Sequence, residues 1–298
     1  MSRRRGRHLW VCLSLAVPLA IAPVGCETWR TPNDFRNFSA QVRPSSPAPA
    51  LPGKFSRRES QYVFYSNFPL EQQSAIFTEL SVLRDQVHRE LTLPPSNTII
   101  QVFLFETREK YDSYMASQYR DLPSRPAYFI AQPRHGGPED LLVYTFWGDH
   151  IRQNLRHELT HALLHASLRE VPLWLDEGIA EFFELPPENN GVNIQHLEKL
   201  RRGPFQPDLP RLEGLTQVAH MERAEYREAW AWVHMMLRGK PAARQTMLAY
   251  LHQFKNGGTT GKLAPKLEDV HPVLVDALAE HLSQVELPKL ARVSSERH

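Results

Sequence analysis

The chain has 298 residues, of which 42% are hydrophobic, and its formal net charge at pH 7 is only +2. This length and composition are sufficient for a folded domain with a large core, and the nearly balanced charge gives no broad electrostatic attraction to nucleic acid. Because Cys12 and Cys26 are the only cysteines, cysteine-rich zinc sites are excluded.

The first 25 residues are typical of an export signal. Residues 2–7 are strongly basic, and residues 9–22 form an almost continuous apolar run that is too short to span a bilayer comfortably. The small residue directly before Cys26 resembles the lipobox of bacterial lipoproteins, although Pro23 stands where leucine is usual. We therefore predict cleavage before Cys26 and attachment of a lipid to it, with simple secretion or a retained anchor as alternatives.

A tether and a single folded region are predicted to follow the signal. Residues 26–54 are rich in proline and serine and have few large apolar side chains, as in an extended spacer. Residues 55–287 form the predicted domain, and residues 288–298 form a polar tail. Loss of Cys12 with the signal would leave the exported chain without a cysteine pair for an internal disulfide.

Strands and helices alternate in the first part of this domain. Apolar, β-branched or aromatic runs predict strands at 61–65, 98–105, 127–131 and 141–147, and apolar residues at helical spacing predict helices at 70–91 and 109–119. After residue 150 only helices are predicted, among them 226–237, 242–255 and 272–285. This order predicts an α+β fold in which a small mixed sheet with helices (about 55–149) packs on a mostly helical lobe (about 150–287).

The first of these later helices carries the motif H-E-x-x-H at His157, Glu158 and His161. On a helix the two histidines lie one turn apart on the same face, so both imidazoles can reach a single metal ion. A catalytic zinc site needs a third protein ligand and an open position for water. Glu158 lies too far round the helix to be that ligand, and it is placed to act as a general base towards the water.

A second helix, predicted at 173–185 after Pro172, supplies the missing ligand. Glu177 lies in its first turn, within the run W-L-D-E-G, and we predict that it completes the site for one Zn²⁺ ion. Glu181, one turn further, is well spaced to accept the second ring N–H of a metal-bound histidine, and Asp176 is a weaker candidate for that role. The alternative for Glu181 is a solvated carboxylate.

His165 extends the row of histidines on the first helix by one more turn. It lies about 6 Å beyond His161 along the helix axis, which is too far to share the ion easily. We predict that His165 supports or covers the site, with an ordinary partly buried histidine as the alternative.

Together, HELTH at 157–161 and WLDEG at 174–178 resemble the gluzincin metallopeptidases, the thermolysin-like and aminopeptidase-like group. The resemblance implies that His157, His161 and Glu177 are zinc ligands, Glu158 is the general base and Glu181 holds a ligand histidine. The gap from His161 to Glu177 is a few residues shorter than in the best-known members. The chain lacks the G-x-M-E-N segment with which aminopeptidases hold a free N-terminus, so an aminopeptidase is not indicated.

Peptide hydrolysis also needs a hydrogen-bond donor for the oxyanion that forms on the carbonyl. In the family that this chain resembles, a tyrosine often stands near the place of Tyr226, which makes Tyr226 the first candidate. Its alternative is packing with Trp230 and Val233, since aromatic side chains at helical spacing usually belong to a core. His220 and His234 are further candidates for the donor.

The sequence thus predicts a zinc-dependent endopeptidase of the bacterial cell envelope, anchored to a membrane through its N-terminal lipid and acting as a monomer on peptides or proteins. The strand predicted at 141–147 would bind an extended substrate if it lay at the sheet edge, and an internal strand is the alternative. A non-catalytic envelope binding module that retains the fold is the second hypothesis, and a zinc hydrolase acting on another amide, such as cell-wall peptide, is the third. The presence of Glu158 favours an enzyme, because a purely structural metal needs no base.

Overall fold

The computed structural model describes residues 50–70, 74–134, 137–257 and 261–288. The predicted signal, the lipidation site at Cys26 and most of the tether and tail lie outside these residues. Within the described ranges, no helix combines the length and the apolar character needed to cross a membrane.

Five strands form one mixed sheet. They are β1 (Phe55–Glu59), β2 (Tyr62–Ser66), β3 (Ile100–Phe105), β4 (Ala127–Arg134) and β5 (Gly137–Phe146), in the spatial order β1-β2-β3-β5-β4. The central strands β2, β3 and β5 are parallel, whereas β1 and β4 run antiparallel to their neighbours at the two edges. The predicted α+β fold is therefore confirmed.

Ten α-helices accompany the sheet in the described part of the chain. Two are interleaved with the strands, and the others follow β5 along the chain. They are α1 (Ser74–Leu91), α2 (Arg108–Gln118), α3 (Ile151–Ser167), α4 (Leu173–Phe183), α5 (Ile194–Arg202), α6 (Leu209–Leu212), α7 (Arg223–Arg238), α8 (Pro241–His252), α9 (Ala264–Glu268) and α10 (Leu274–Gln284); short 3-10 turns occupy Pro187–Asn189, Val218–His220 and Gln253–Asn256.

Helices cover both faces of the sheet because side chains along each strand alternate between them. In β5, Leu141 and Val143 join the large core that contains α1, α3 and the later helices, whereas Leu142 and Tyr144 pack on the other face with residues of α2. The large core extends from Tyr62 in the sheet to helix α10. The two predicted lobes therefore share one hydrophobic core.

The strand predicted at 141–147 is internal, because β5 is hydrogen-bonded to β3 on one side and to β4 on the other. Its suggested role as an exposed edge for substrate is wrong. The edge on that side is β4, which packs on helix α3 as β5 does.

Helices α3 and α4 form a hairpin that is fixed by backbone features. The chain leaves α3 after Ser167, and Pro172 then caps α4, with its carbonyl accepting hydrogen bonds from the backbone N–H groups of Leu175 and Asp176. Gly178 lets α4 approach α7 closely, since a Cβ there would stand 2.6 Å from the carbonyl oxygen of Ala229. Helix α4 is buried along its whole length between these partners.

Candidate metal centre

The two histidines of the H-E-x-x-H motif lie side by side on the buried face of α3. His157 and His161 are only 2% and 4% exposed, and their ring centroids are 5.0 Å apart. The ring of Phe129 in β4 stacks against His161 and, one helical turn further, against His165. Strand β4 therefore covers His161 and His165 with the ring of Phe129.

Glu177 reaches both imidazoles from the first turn of α4. Its Oε2 atom lies 3.6 Å from Nε2 of His157 and 3.5 Å from Nε2 of His161. Ligands around a tetrahedral ion with bonds of about 2.0–2.1 Å are separated by about 3.3 Å, so the spacing fits a shared ion. Suitable ligand atoms of His157, His161 and Glu177 all lie within 4.8 Å of one another, and this buried group could hold a metal ion.

Glu158 stands beside this group, as its position on the helix predicts. It is 1% exposed, and its carboxylate faces the backbone N–H of Phe129, which favours its charged form. Its Oε1 atom is buried with no hydrogen-bond partner in the protein. Burial raises the pKa of Glu158, and the neighbouring His157 and His161 act in the opposite direction. One carboxylate oxygen is thus left for a small polar partner.

Carboxylates hold the far nitrogens of both imidazoles. Nδ1 of His157 lies 3.1 Å from Oε2 of Glu184, the residue that caps the end of α4. Nδ1 of His161 lies 3.0 Å from Oδ1 of Asp176, although the two atoms are poorly aligned for a hydrogen bond. The other oxygen of Asp176 contacts Nε2 of His165 at 3.0 Å. His165 therefore supports the site through Asp176, in agreement with its predicted place.

Glu181 has a different partner from the one we predicted. Its Oε2 atom is 2.9 Å from Nε2 of His196 in α5, while the charge of His157 acts on it at longer range. We expected Glu181 to accept the N–H of a motif histidine, but Glu184 is the acid that contacts Nδ1 of His157. Glu184 lies seven residues after Glu177 and thus returns to the same helix face. Asp176, which we ranked second, lies against His161.

The surrounding acids make the site favourable for positive charge. Burial lowers the pKa of His157, but its hydrogen bonds with Glu177 and Glu184 outweigh burial and raise that pKa to about 10. The charges of Asp176 and Glu177 likewise overcome burial and raise the pKa of His161. Five acids surround the two imidazoles: Glu158, Asp176, Glu177, Glu181 and Glu184.

The three candidates for the oxyanion donor lie in different surroundings. Tyr226, in the first turn of α7, is 5% exposed and belongs to the large core with Trp230 and Val233. His234 is buried and pairs with His281 through a contact of 2.8 Å, and His220 is exposed at the end of a 3-10 turn. Packing around Tyr226 fits the alternative that we gave, and its role as a donor stays a prediction.

Comparisons with known proteins do not assign this site to a family. Neither a family model nor a curated protein matches the chain. The assignment of a function therefore depends on the site itself.

Proposed function

We propose that this chain is a zinc-dependent metallopeptidase of the gluzincin type that cuts peptide bonds within a chain. The observation that carries the proposal is the approach of one Glu177 oxygen to within 3.6 Å of the Nε2 atoms of both motif histidines. Two imidazoles and one carboxylate are a donor set typical of catalytic zinc, and hard-metal sites rarely use imidazole pairs. His157, His161 and Glu177 would hold the ion.

A zinc ion held by these residues would supply a Lewis acid that polarises the substrate carbonyl and makes a water molecule more acidic. Glu158 supplies the base. Its Oε1 atom, which has no partner in the protein, can accept the water proton and later donate it to the leaving amine. Burial raises the pKa of Glu158 towards the working pH, which suits a group that must both take and release a proton.

Strand β4 gives the substrate a place beside this base. It lies at the sheet edge, and the backbone N–H of Phe129 within it faces the carboxylate of Glu158. An extended peptide that adds to an edge strand has its backbone fixed by main-chain hydrogen bonds, which are insensitive to side-chain identity. Pairing along β4 would hold a scissile peptide bond next to Glu158, and this arrangement suits an endopeptidase.

We further propose that the enzyme acts at the bacterial cell envelope as a lipoprotein anchored at Cys26. The support is the sequence alone: a basic start, a short apolar run, a small residue before Cys26 and then a proline-rich tether. Peptides or proteins outside the cytoplasm would be the substrates. Globomycin inhibits cleavage at lipoprotein signals, so accumulation of the uncleaved chain in treated cells would test this part separately.

The test of the activity is digestion of a mixed peptide library by the zinc-loaded protein and by Glu158→Gln, each with and without a chelator. Glutamine keeps the size of Glu158 but cannot take a proton, so we expect at least about 10²-fold slower cleavage with unchanged zinc content. Equal cleavage by both proteins would contradict the role of Glu158. Zinc bound at one ion per chain with no cleavage by either protein would instead favour the binding module.

A further inference from the structure

Two further buried carboxylates lie near His157. They belong to Glu181 and Glu184, and ligand atoms of both lie within 4.8 Å of a nitrogen of His157. Glu184 makes a short contact with the ring, with its Oε2 atom 3.1 Å from Nδ1. The two nitrogens of His157 thus face different carboxylates, with Nδ1 towards Glu184 and Nε2 towards Glu177.

Glu184 is itself held in place by two amide groups. Its Oε1 atom accepts hydrogen bonds from Nε2 of Gln153 at 2.9 Å and from Nδ2 of Asn193 at 3.3 Å. Gln153 lies in α3, one turn before His157, and Asn193 caps α5. Both amides donate to the same oxygen, so the other oxygen is left to accept the N–H of the imidazole. This geometry fixes an acceptor at Nδ1.

A fixed acceptor at Nδ1 decides which nitrogen of His157 can bind a cation. A neutral imidazole has one N–H and one lone pair, so a proton held at Nδ1 leaves the lone pair at Nε2. Nε2 is the atom that faces Glu177. Carboxylate partners of this kind fix the orientation of metal-bound histidines and make them stronger ligands.

Glu181 has its short contact with a different histidine, His196. Its carboxylate contacts Nε2 of His196 at 2.9 Å, and the ring of His196 packs edge-on against Trp230. This contact ties α5 to α4 and leaves the short bond with His157 to Glu184. A second cation between Glu181 and Glu184 is the other use that these acids could have, but His196, Gln153 and Asn193 already engage their oxygens.

We propose that Glu184 is the positioning residue that fixes the tautomer and orientation of His157 for metal binding. The inference rests on the proposed function for the presence of zinc, but not for peptide hydrolysis. It also goes against the pattern that the family resemblance implies, in which the acid four residues after the ligand glutamate has this role. Here the acid seven residues after Glu177 has it.

Two matched variants, Glu184→Gln and Glu181→Gln, distinguish the roles of the two acids. Each variant removes one buried charge near the end of α4, but only the first alters the partner of a ligand histidine. In competition with a chelator of known zinc affinity, we expect Glu184→Gln to bind zinc about 10- to 100-fold more weakly than the parent. Glu181→Gln should weaken zinc binding less than Glu184→Gln does, since its short contact is with His196.

The proton on His157 gives a readout that general loosening of the fold would not reproduce. In the cobalt-substituted protein, the N–H protons of both ligand imidazoles should give shifted resonances in the proton NMR spectrum. We expect Glu184→Gln to speed solvent exchange of one such proton, and Glu181→Gln to leave both as in the parent. Circular dichroism of each variant checks that the fold is kept, and Glu184→Ala replaces Glu184→Gln in both measurements if the latter does not fold.

Several results would overturn the inference. They are an unchanged zinc affinity and unchanged N–H exchange in the Glu184 variant, equal losses in both variants, or two zinc ions bound per parent chain. Zinc bound as expected in a protein that cuts no peptide would defeat the proposed function and leave the role of Glu184 intact. If Glu184→Gln cut peptides normally and bound zinc as the parent does, the role of Glu184 would be defeated and the proposed function would stand.

Discussion

Two pairs of histidines in this protein have opposite electrostatic surroundings. His157 and His161 lie among carboxylates, and their pKa values are raised despite burial. His234 and His281 contact each other at 2.8 Å, and burial lowers their pKa values to about 3 and about 4. The comparison teaches that burial without nearby acids favours a neutral histidine, and that the acids around the first pair are what prepare it for a cation.

The surroundings of the second pair explain the difference. Around His234 are the rings of Phe182 and Trp230 and the positive charge of Arg238, and His271 acts on His281. Burial, together with Arg238 and His271, opposes a proton on these imidazoles. A pair of histidines on buried helices is therefore not by itself a metal site, and the carboxylate of Glu177 is the group that distinguishes the first pair.

Removing the carboxylate of Glu177 should have the largest effect on zinc affinity. Loss of a residue that only supports a ligand weakens metal binding by up to roughly 100-fold. Glu177→Gln should weaken zinc binding by more than that, because a ligand itself is lost. Zinc content after dialysis and chelator competition are the measurements. Glu181→Gln, on the same helix, is the control. A Glu177 variant that kept parental affinity would remove the distinction between the two pairs.

The contact between α4 and α7 joins the two regions, because Glu177 lies on one helix and His234 on the other. Gly178→Ala should lower the free energy of unfolding by about 1–3 kcal/mol, since the new methyl group would overlap the backbone of Ala229. Urea unfolding measures the change. Gly261→Ala, which has open space around it, should differ little from the parent. Equal stability of both variants would contradict the close packing.

The pair His234 and His281 predicts a loss of stability in mild acid. A histidine with a lowered pKa in the folded state stays neutral there, while the unfolded chain takes up a proton below pH 6.5. The stability that His234 contributes is complete above pH 6.5 and falls as the pH drops towards about 3. Between pH 7 and pH 5 we expect its share of the loss to be about 2 kcal/mol.

Urea unfolding of His234→Leu at the two pH values tests this prediction. The variant should lose less stability between pH 7 and pH 5 than the parent does, because the proton-binding group is gone. His220→Leu makes the same change at an exposed position and should keep the parental slope. A steeper slope in His234→Leu than in the parent would show that the sign is wrong.

The smallest effect concerns the outer part of the metal site. His165→Phe removes the contact with Asp176, which in turn faces His161, so we expect zinc affinity to fall only a few-fold, less than the 10- to 100-fold typical of a direct partner. His150→Phe changes an exposed histidine just before α3 and serves as the control. Chelator competition measures both. A loss for His165→Phe as large as that for Glu184→Gln would mean that we have underrated the contact.

The grouping of His157, His161 and Glu177 was predictable because its information is local. A spacing of four residues on a helix places His157 and His161 together, and Pro172 followed by an acid in the next turn brings Glu177 back to them. Glu184 could have been found by the same reasoning, since Glu177, Glu181 and Glu184 are spaced four and three residues apart on one face. Choosing between Glu181 and Glu184 required the position of His196, which only the tertiary structure gives.

Two parts of the fold that were missed depend on distant contacts. Strand β1 is half exposed and polar, and it is recognisable only through its pairing with β2. Helix α5 buries a single side chain, Leu197, but its apolar residues Ile194, Leu197 and Leu200 follow helical spacing, so this helix was open to prediction and was missed. The order of the strands places β4 rather than β5 at the edge, and no local pattern encodes that order.

The central claim is that one zinc ion binds between the motif histidines and Glu177. The direct measurement is an anomalous difference map from a crystal of the zinc-loaded protein, recorded at the zinc absorption edge. We predict one peak at about 2.0–2.2 Å from Nε2 of His157, Nε2 of His161 and a carboxylate oxygen of Glu177. A peak between Glu181 and Glu184 instead, or no peak at these three side chains in zinc-loaded crystals, would contradict the account.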